Sequence, residues 1–163
     1  MDTPGDGFEA WYRDLHPRLV TALVAAFGDV DIAGEAADEA IARACERWSR
    51  VSVMASPGGW TYRVAFNVAR RRVRRSGHER RLWAGQRPES APGPAGELWL
   101  LVADLPQRQR LAVVLRHVAH LPEAEIASVM GISRGGVSST LRAAYRSLRL
   151  ELADPAVAEE VPR

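Results

Sequence analysis

Three observations predict an all-α protein built from two small helical domains. Apolar residues recur at three- and four-residue spacing through most of the 163-residue chain, which is helical periodicity. No long stretch alternates apolar with polar residues, as a half-buried strand would. Residues 85–96, Gly-Gln-Arg-Pro-Glu-Ser-Ala-Pro-Gly-Pro-Ala-Gly, have no periodicity and three prolines, the composition of a semi-extended linker. The expected organisation is therefore a first domain over 8–84, a linker over 85–96 and a second domain over 97–152.

In the first domain, Phe8, Trp11, Tyr12, Leu15, Leu19, Leu23 and Phe27 mark one helix. Pro17 falls inside it and removes a backbone donor, and Gly28-Asp29 stops it. A second helix is expected from about Ile32 to Trp48, with Ala37, Ile41, Ala44, Cys45 and Trp48 inward and Glu35, Asp38, Glu39 and Glu46 on more exposed faces. Ser49–Gly59 reads as a loop, because Ser56-Pro57-Gly58-Gly59 is a cluster of helix breakers. A third helix runs from Trp60 to about Arg75, with Trp60, Val64, Val68 and Ala69 toward the core. In the second domain, Leu98–Ala103 comes first. Leu105-Pro106 then opens a helix to about His120, Pro122-Glu123 opens a short one to Met130, and a last helix spans Arg134 to about Leu152. Pro155 and the acidic tail end the chain, where fraying is expected.

Composition narrows the function classes. A hydrophobic content of 47% supports real cores and excludes a disordered chain. No apolar run approaches the roughly 18 residues that a membrane span requires. Met1–Gly7 lacks the basic and apolar regions of a secretory signal. The single cysteine, Cys45, cannot staple a secreted fold or build a zinc site alone. A cytoplasmic protein with no cofactor is the expectation.

The net charge of +2 conceals a polarised chain. Residues 1–59 carry a balance of −5, residues 60–87 of +8 and residues 88–163 of −1. All 22 basic side chains are arginine. The run Arg70-Arg71-Arg72-Val73-Arg74-Arg75 places five like charges in six residues. Such density repels itself and is relieved by nearby phosphates.

The segment from Pro122 to Leu148 has the anatomy of a helix-turn-helix. Ile126, Ala127 and Met130 form the inner face of its first helix. Gly131 supplies a left-handed residue to end that helix, and Ser133 is a good N-cap for the next. Val137, Leu141, Ala144 and Leu148 form the inner stripe of the second helix. In this geometry the second helix enters the major groove by its N-terminal part. Ser133, Arg134, Ser138, Ser139 and Arg142 are then the candidate DNA-contacting residues, since arginine bonds guanine bidentately and serine bonds bases or phosphates. A helical hairpin with a merely solvated polar face is the competing reading.

Other chemistry is poorly supported. Glu35, Asp38 and Glu39 have no nucleophile, histidine or glycine-rich phosphate loop beside them, so catalysis by paired carboxylates is not indicated. His117 and His120 lie three apart with Glu123 beyond, a spacing that can bind metal, but Pro122 turns Glu123 onto a new helix. Neither a metal site nor an enzyme is expected. The five tryptophans read as core residues before base-stacking platforms, and Trp83, flanked by Arg80-Arg81, is the one whose setting leaves stacking open.

The second domain resembles region 4 of sigma factors. The resemblance rests on Leu105-Pro106-Gln107-Arg108-Gln109-Arg110, Val113-Val114-Leu115-Arg116, Glu125-Ile126-Ala127 and Met130-Gly131-Ile132-Ser133. The first domain independently resembles sigma region 2, through Gly28-Asp29, Glu35, Asp38-Glu39, Ile41, Arg43-Ala44 and the helix Trp60-Thr61-Tyr62-Arg63-Val64-Ala65-Phe66-Asn67. The order and the short linker are similar to the extracytoplasmic-function group of the sigma-70 family. That resemblance implies a factor that binds core RNA polymerase and directs it to promoters. It implies that Glu35, Asp38, Glu39 and Arg43 dock on the clamp helices of the largest polymerase subunit. It implies further that Trp60, Arg63, Asn67, Arg70, Arg71, Arg74 and Arg75 melt and hold the minus-ten element. The recognition helix would read the minus-thirty-five element, and an anti-sigma protein is a further partner the resemblance allows. The chain departs from the family at Asp38, where glutamine is usual, and at Ile41, where an aromatic is common. It departs again at Gly136, where threonine is usual, and at Ser138 and Thr140, where Lys and Arg are common. Fewer fixed cations imply weaker grip on the DNA backbone. A stand-alone helix-turn-helix regulator is the alternative, and it leaves the first domain unexplained.

Overall fold

A computed structural model describes residues 6–76 and 96–153, and the side chains of all of these except 6, 97 and 150–153. Residues 77–95, which hold Trp83 and nearly all of the proline-rich stretch, lie outside the described residues, as does Pro155. The chain divides into two compact units, one carrying the first four described helices and one the last four. All regular structure among the described residues is α-helical.

The first unit contains α1 (Asp6–Phe27), α2 (Val30–Glu46), α3 (Trp48–Val51) and α4 (Pro57–Ser76). Helix α1 continues through Pro17. Thr21 Oγ1 donates to the Pro17 carbonyl at 2.9 Å. Gly28, at φ 70°, ends α1 in the left-handed region, where the absence of Cβ removes the steric cost. Asp29 then caps α2 by accepting from the Ile32 amide at 2.9 Å. The face of α2 toward the core is largely alanine: Ala33, Ala36, Ala37, Ala40 and Ala44 are all fully buried. Small residues let α1 and α4 approach the α2 backbone closely. The bulk is supplied from the other side by Leu19, Leu23 and Phe27 of α1 and by Tyr62 and Phe66 of α4. The Phe27 and Phe66 rings are tilted at 5.5 Å.

Three expectations for this unit need correction. Ser56-Pro57-Gly58-Gly59 opens α4 rather than ending a loop. Ser56 Oγ accepts from the Gly59 amide at 3.0 Å, and Pro57 stands at the first helical position, where its missing N–H costs nothing. The core stripe of α4 is Thr61, Tyr62, Ala65, Phe66, Ala69 and Val73, with Val68 beside it. Trp60 and Val64 are only half-buried. Trp48 belongs to the short α3, because the chain turns at Arg47. Its ring lies 4.8 Å from Trp11 and 5.1 Å from Phe8, so an aromatic cluster fastens α3 to the start of α1.

The second unit contains α5 (Glu97–Asp104), α6 (Gln107–His117), α7 (Glu123–Met130) and α8 (Arg134–Ala153). Its core is built from Leu111, Val114 and Leu115 of α6, Ile126 and Val129 of α7, and Val137, Leu141, Ala144 and Leu148 of α8. The inner stripe expected for α8 is thus buried at each of its four positions. Arg110 is also buried. Its Nη1 donates to the Ala103 carbonyl at 3.0 Å, satisfying an acceptor at the end of α5. Desolvation lowers its pKa, and nearby Asp104 opposes that. Helix α6 stops at His117, short of His120. His120 has φ 54°, and the Leu121 amide returns to the Leu115 carbonyl at 3.0 Å. His117 and His120 therefore do not share a helix face, which removes the geometry a metal site needed.

Gly135 and Gly136 open α8, and their surroundings differ. A Cβ at Gly135 would meet its nearest neighbour, Ser133 Oγ, at 3.9 Å, whereas at Gly136 it would meet that capping oxygen at 3.3 Å. Gly135→Ala is accordingly expected to stabilise the fold by up to about 1 kcal/mol through helix propensity. Gly136→Ala should gain less or lose, because it presses on the cap. Denaturant midpoints of the two variants check this ordering, and a lower midpoint for Gly135→Ala would contradict it.

Candidate nucleic-acid interface

The turn between α7 and α8 is made by local chemistry. Gly131 adopts φ 67°, ψ 35°, and its amide returns to the Ala127 carbonyl. The Ile132 amide reaches the same carbonyl at 3.1 Å. Ser133 Oγ accepts from the Gly136 amide at 3.0 Å, so this candidate contact residue is employed as a cap. Arg134, Ser139 and Arg142 are exposed, and neither arginine forms an ion pair among the described residues. Ser138 is half-buried, and its hydroxyl donates to Glu123 Oε2 at 3.1 Å. Thr140 Oγ1 turns back to the Gly136 carbonyl at 2.7 Å, which withdraws it from any contact by its proton. Farther along α8, Ser139, Arg142, Tyr145, Arg146 and Arg149 line a surface groove of about 340 Å³. His117 Nε2 lies 2.8 Å from Tyr145 Oη behind it. Desolvation, then the charges of Arg116 and His120, hold the His117 pKa below its ordinary value.

In the first unit, Arg63, Asn67, Arg71, Arg74 and Arg75 are exposed along α4, and Trp60 and Arg70 are half-buried. Arg71 Nε donates to the Asn67 carbonyl at 3.3 Å, and Arg70 Nη1 to Asn67 Oδ1 at 3.4 Å. Burial lowers the Arg70 pKa, with a further contribution from the Arg74 charge. Arg74 and Arg75 form no ion pair among the described residues. Between α3 and α4 the connecting loop turns Val53 outward at 81% exposure, with Met54 beside it.

The acidic residues of α2 have partners within the chain. Arg72 donates through Nη1 to Glu35 Oε2, and through Nη2 to Glu39 Oε2 at 3.3 Å. Glu39 Oε1 also accepts from Arg43 Nη2, one turn on. Asp38 remains mostly exposed and meets His16 Nε2 at 3.1 Å. A cleft of about 560 Å³ runs where Glu35 and Glu39 face Arg71, Arg72 and Arg75. Glu35 and Glu39 are thus part of an ion-pair network rather than solvated alone. Among the described residues, no group of three or more His, Cys, Asp or Glu side chains could hold a metal ion.

Comparison with known proteins decides the family. Residues 95–148 match the model "Sigma-70, region 4". Over 152 residues the chain is 30% identical to the RNA polymerase sigma-E factor of Streptomyces coelicolor, covering 89% of this chain and 85% of that protein. The chain belongs to the sigma-70 family, in its extracytoplasmic-function group. Its fold is similar to that of the sigma factor RpoE of Bartonella quintana, solved in complex with the anti-sigma factor NepR. That match has a TM-score of 0.72 at 18% identity and covers 91% of this chain and 98% of the other. As a sigma factor the protein acts in transcription initiation, in a family of non-enzymatic regulators.

Sequence reasoning overlooked two cationic features of this sigma factor. It treated Arg72 as one more cation in the run, although Arg72 is the residue that turns back onto α2. The position of Val73 in the buried stripe could have warned that Arg72 faces sideways along the core boundary. Arg146 and Arg149 were also missed. They continue the exposed side of α8 beyond Arg142 at helical spacing, a signal present in the sequence.

Proposed function

We propose that this sigma factor binds core RNA polymerase and directs it to specific promoters, reading minus-ten and minus-thirty-five elements. The reading is carried by one observation: the chain holds two separate cationic faces, each on a helix with a formed cap or turn. The α4 face presents Arg71, Arg74 and Arg75, and the α8 face presents Arg134 and Arg142. Region 2-like residues 8–84 would hold the opened minus-ten strand. Trp60, Arg63, Asn67 and Arg70 belong to that surface, with the exposed loop before α4. Opening is feasible because a flipped base costs only a few kcal/mol, about what a few binding contacts return. Region 4-like residues 97–152 would grip the minus-thirty-five duplex through Arg134, Ser138, Ser139 and Arg142, with Ser133 holding the helix start. The linker over 85–96 spans the two.

Glu35, Asp38, Glu39 and Arg43 form the proposed docking face for the clamp helices of the largest polymerase subunit. Arg72 bridges Glu35 and Glu39 of that face, which stand one turn apart on α2. An anti-sigma protein is a further proposed partner, in keeping with the Bartonella complex, and the site of action is the cytoplasm. Run-off transcription tests the whole reading. Core polymerase plus this chain should produce discrete transcripts from genomic fragments that core polymerase alone does not. Absence of transcripts together with absence of core binding in a pull-down would favour a stand-alone regulator.

A further inference from the structure

Glu123 opens α7, and its Oε2 accepts the hydroxyl proton of Ser138 at 3.1 Å. Ser138 stands one turn after Arg134 and one turn before Arg142 on α8. The bond therefore fixes a carboxylate beside the outward stripe of the recognition helix, alongside two arginines. Neither arginine forms an ion pair with it. A carboxylate in a first helical turn gains from the macrodipole wherever it points. That gain explains an acid at the start of α7, but not why it is held by a residue of the neighbouring helix.

The hydrogen bond changes what Ser138 can do. A serine hydroxyl has one proton, and here it is committed to Glu123. The pair consequently presents only acceptors: the second carboxylate oxygen and the lone pairs of Oγ. In the major groove, guanine offers acceptors at N7 and O6, thymine an acceptor at O4, and adenine an acceptor at N7 beside its amine. Cytosine offers its N4 amine, a donor, and acidic side chains accept from it. An acceptor-only element repels the first two edges, meets adenine with one favourable and one unfavourable group, and suits cytosine.

We propose that Glu123, held by Ser138, is a base-selecting residue that favours cytosine at one position of the minus-thirty-five element. The inference rests on the reading of α8 as the helix in the major groove. It is tested by selecting duplexes randomised over that element with the full chain bound to core polymerase. The parent is expected to enrich cytosine at one position. Glu123→Gln supplies an amide that donates as well as accepts, and should reduce that enrichment roughly tenfold while leaving positions set by Arg134 unchanged. Ser138→Ala, a change at a half-buried side chain, should blur the same position by freeing the carboxylate.

Uniformly stronger binding to every sequence by Glu123→Gln would overturn the proposal, since that is bare repulsion of phosphates relieved. An unchanged selection profile would overturn it also, leaving Glu123 a helix-opening acid. Arg134→Ala and Arg142→Ala separate the two levels. If both leave profile and affinity unchanged, α8 is not the reading helix and the underlying reading fails. If they alter binding while Glu123→Gln does not, only the role of Glu123 falls.

Discussion

Alanine at Arg71, Arg74 and Arg75 together is expected to lower the slope of log affinity against log salt for the promoter complex by roughly two to three. Each cation that neutralises a phosphate releases counterions, about 0.9 per contact on duplex and about 0.7 on a single strand. All three arginines are exposed on α4, and the Arg71 bond to Asn67 uses only Nε, leaving its terminal nitrogens for a ligand. Alanine is the strongest helix former, so α4 itself should survive the change. Arg72 is excluded because it holds Glu35 and Glu39. Its loss should cost at most about 1 kcal/mol of stability, as partly exposed pairs do, and act on polymerase docking. Filter binding or fluorescence titration at several salt concentrations measures the slope. A triple variant with the parent's slope would remove α4 from the DNA-contacting surface.

The sequence made some parts of this molecule legible and hid others for physical reasons. The helix-turn-helix was readable almost residue by residue, because its turn is local. Gly131 needs a positive φ, Ser133 caps three residues on, and Val137, Leu141, Ala144 and Leu148 repeat with the helix. The start of α4 was misread because the same residues that break helices also begin them: Ser56 caps and Pro57 fits the first turn. Of its expected core residues, Val68 and Ala69 are buried, whereas Trp60 and Val64, just as apolar, are only half-buried. Packing against the alanine face of α2 and against Phe27 selects the Phe66 side. The Arg72 bridge spans 33 and 37 positions in sequence. Periodicity reveals which face a side chain occupies, not which distant residue meets it there. The Glu123–Ser138 bond was hidden for the same reason. The Arg72 bridge also bears on how the docking face is probed. Reversing charge at Glu35 and Glu39 would place lysines against Arg72 and Arg43. Loss of polymerase binding in such a variant would then mix docking with local repulsion, so neutral Gln substitutions are the cleaner probe.

Arg134 and Arg142 are expected to divide reading from gripping. Both are exposed on α8, and neither is held by an internal ion pair. Arg134 occupies the first turn, where side chains of a recognition helix reach base edges. Arg142 lies eight residues on, about 12 Å along the axis at about 1.5 Å per residue. That separation lets the first face the groove floor while the second faces a flanking phosphate. Arg146 and Arg149 share the groove with Arg142, which places that end of the helix among cations suited to the backbone. Arg134→Ala should therefore relax preference at one or two minus-thirty-five positions and cost about 1–3 kcal/mol on the best site. Arg142→Ala should weaken all sites about equally and reduce the salt slope by about one. Binding-site selection with each variant, bound to core polymerase, distinguishes them. If Arg142→Ala loses base preference while Arg134→Ala keeps it, the roles are exchanged, and the helix enters the groove deeper along its length than the first turn.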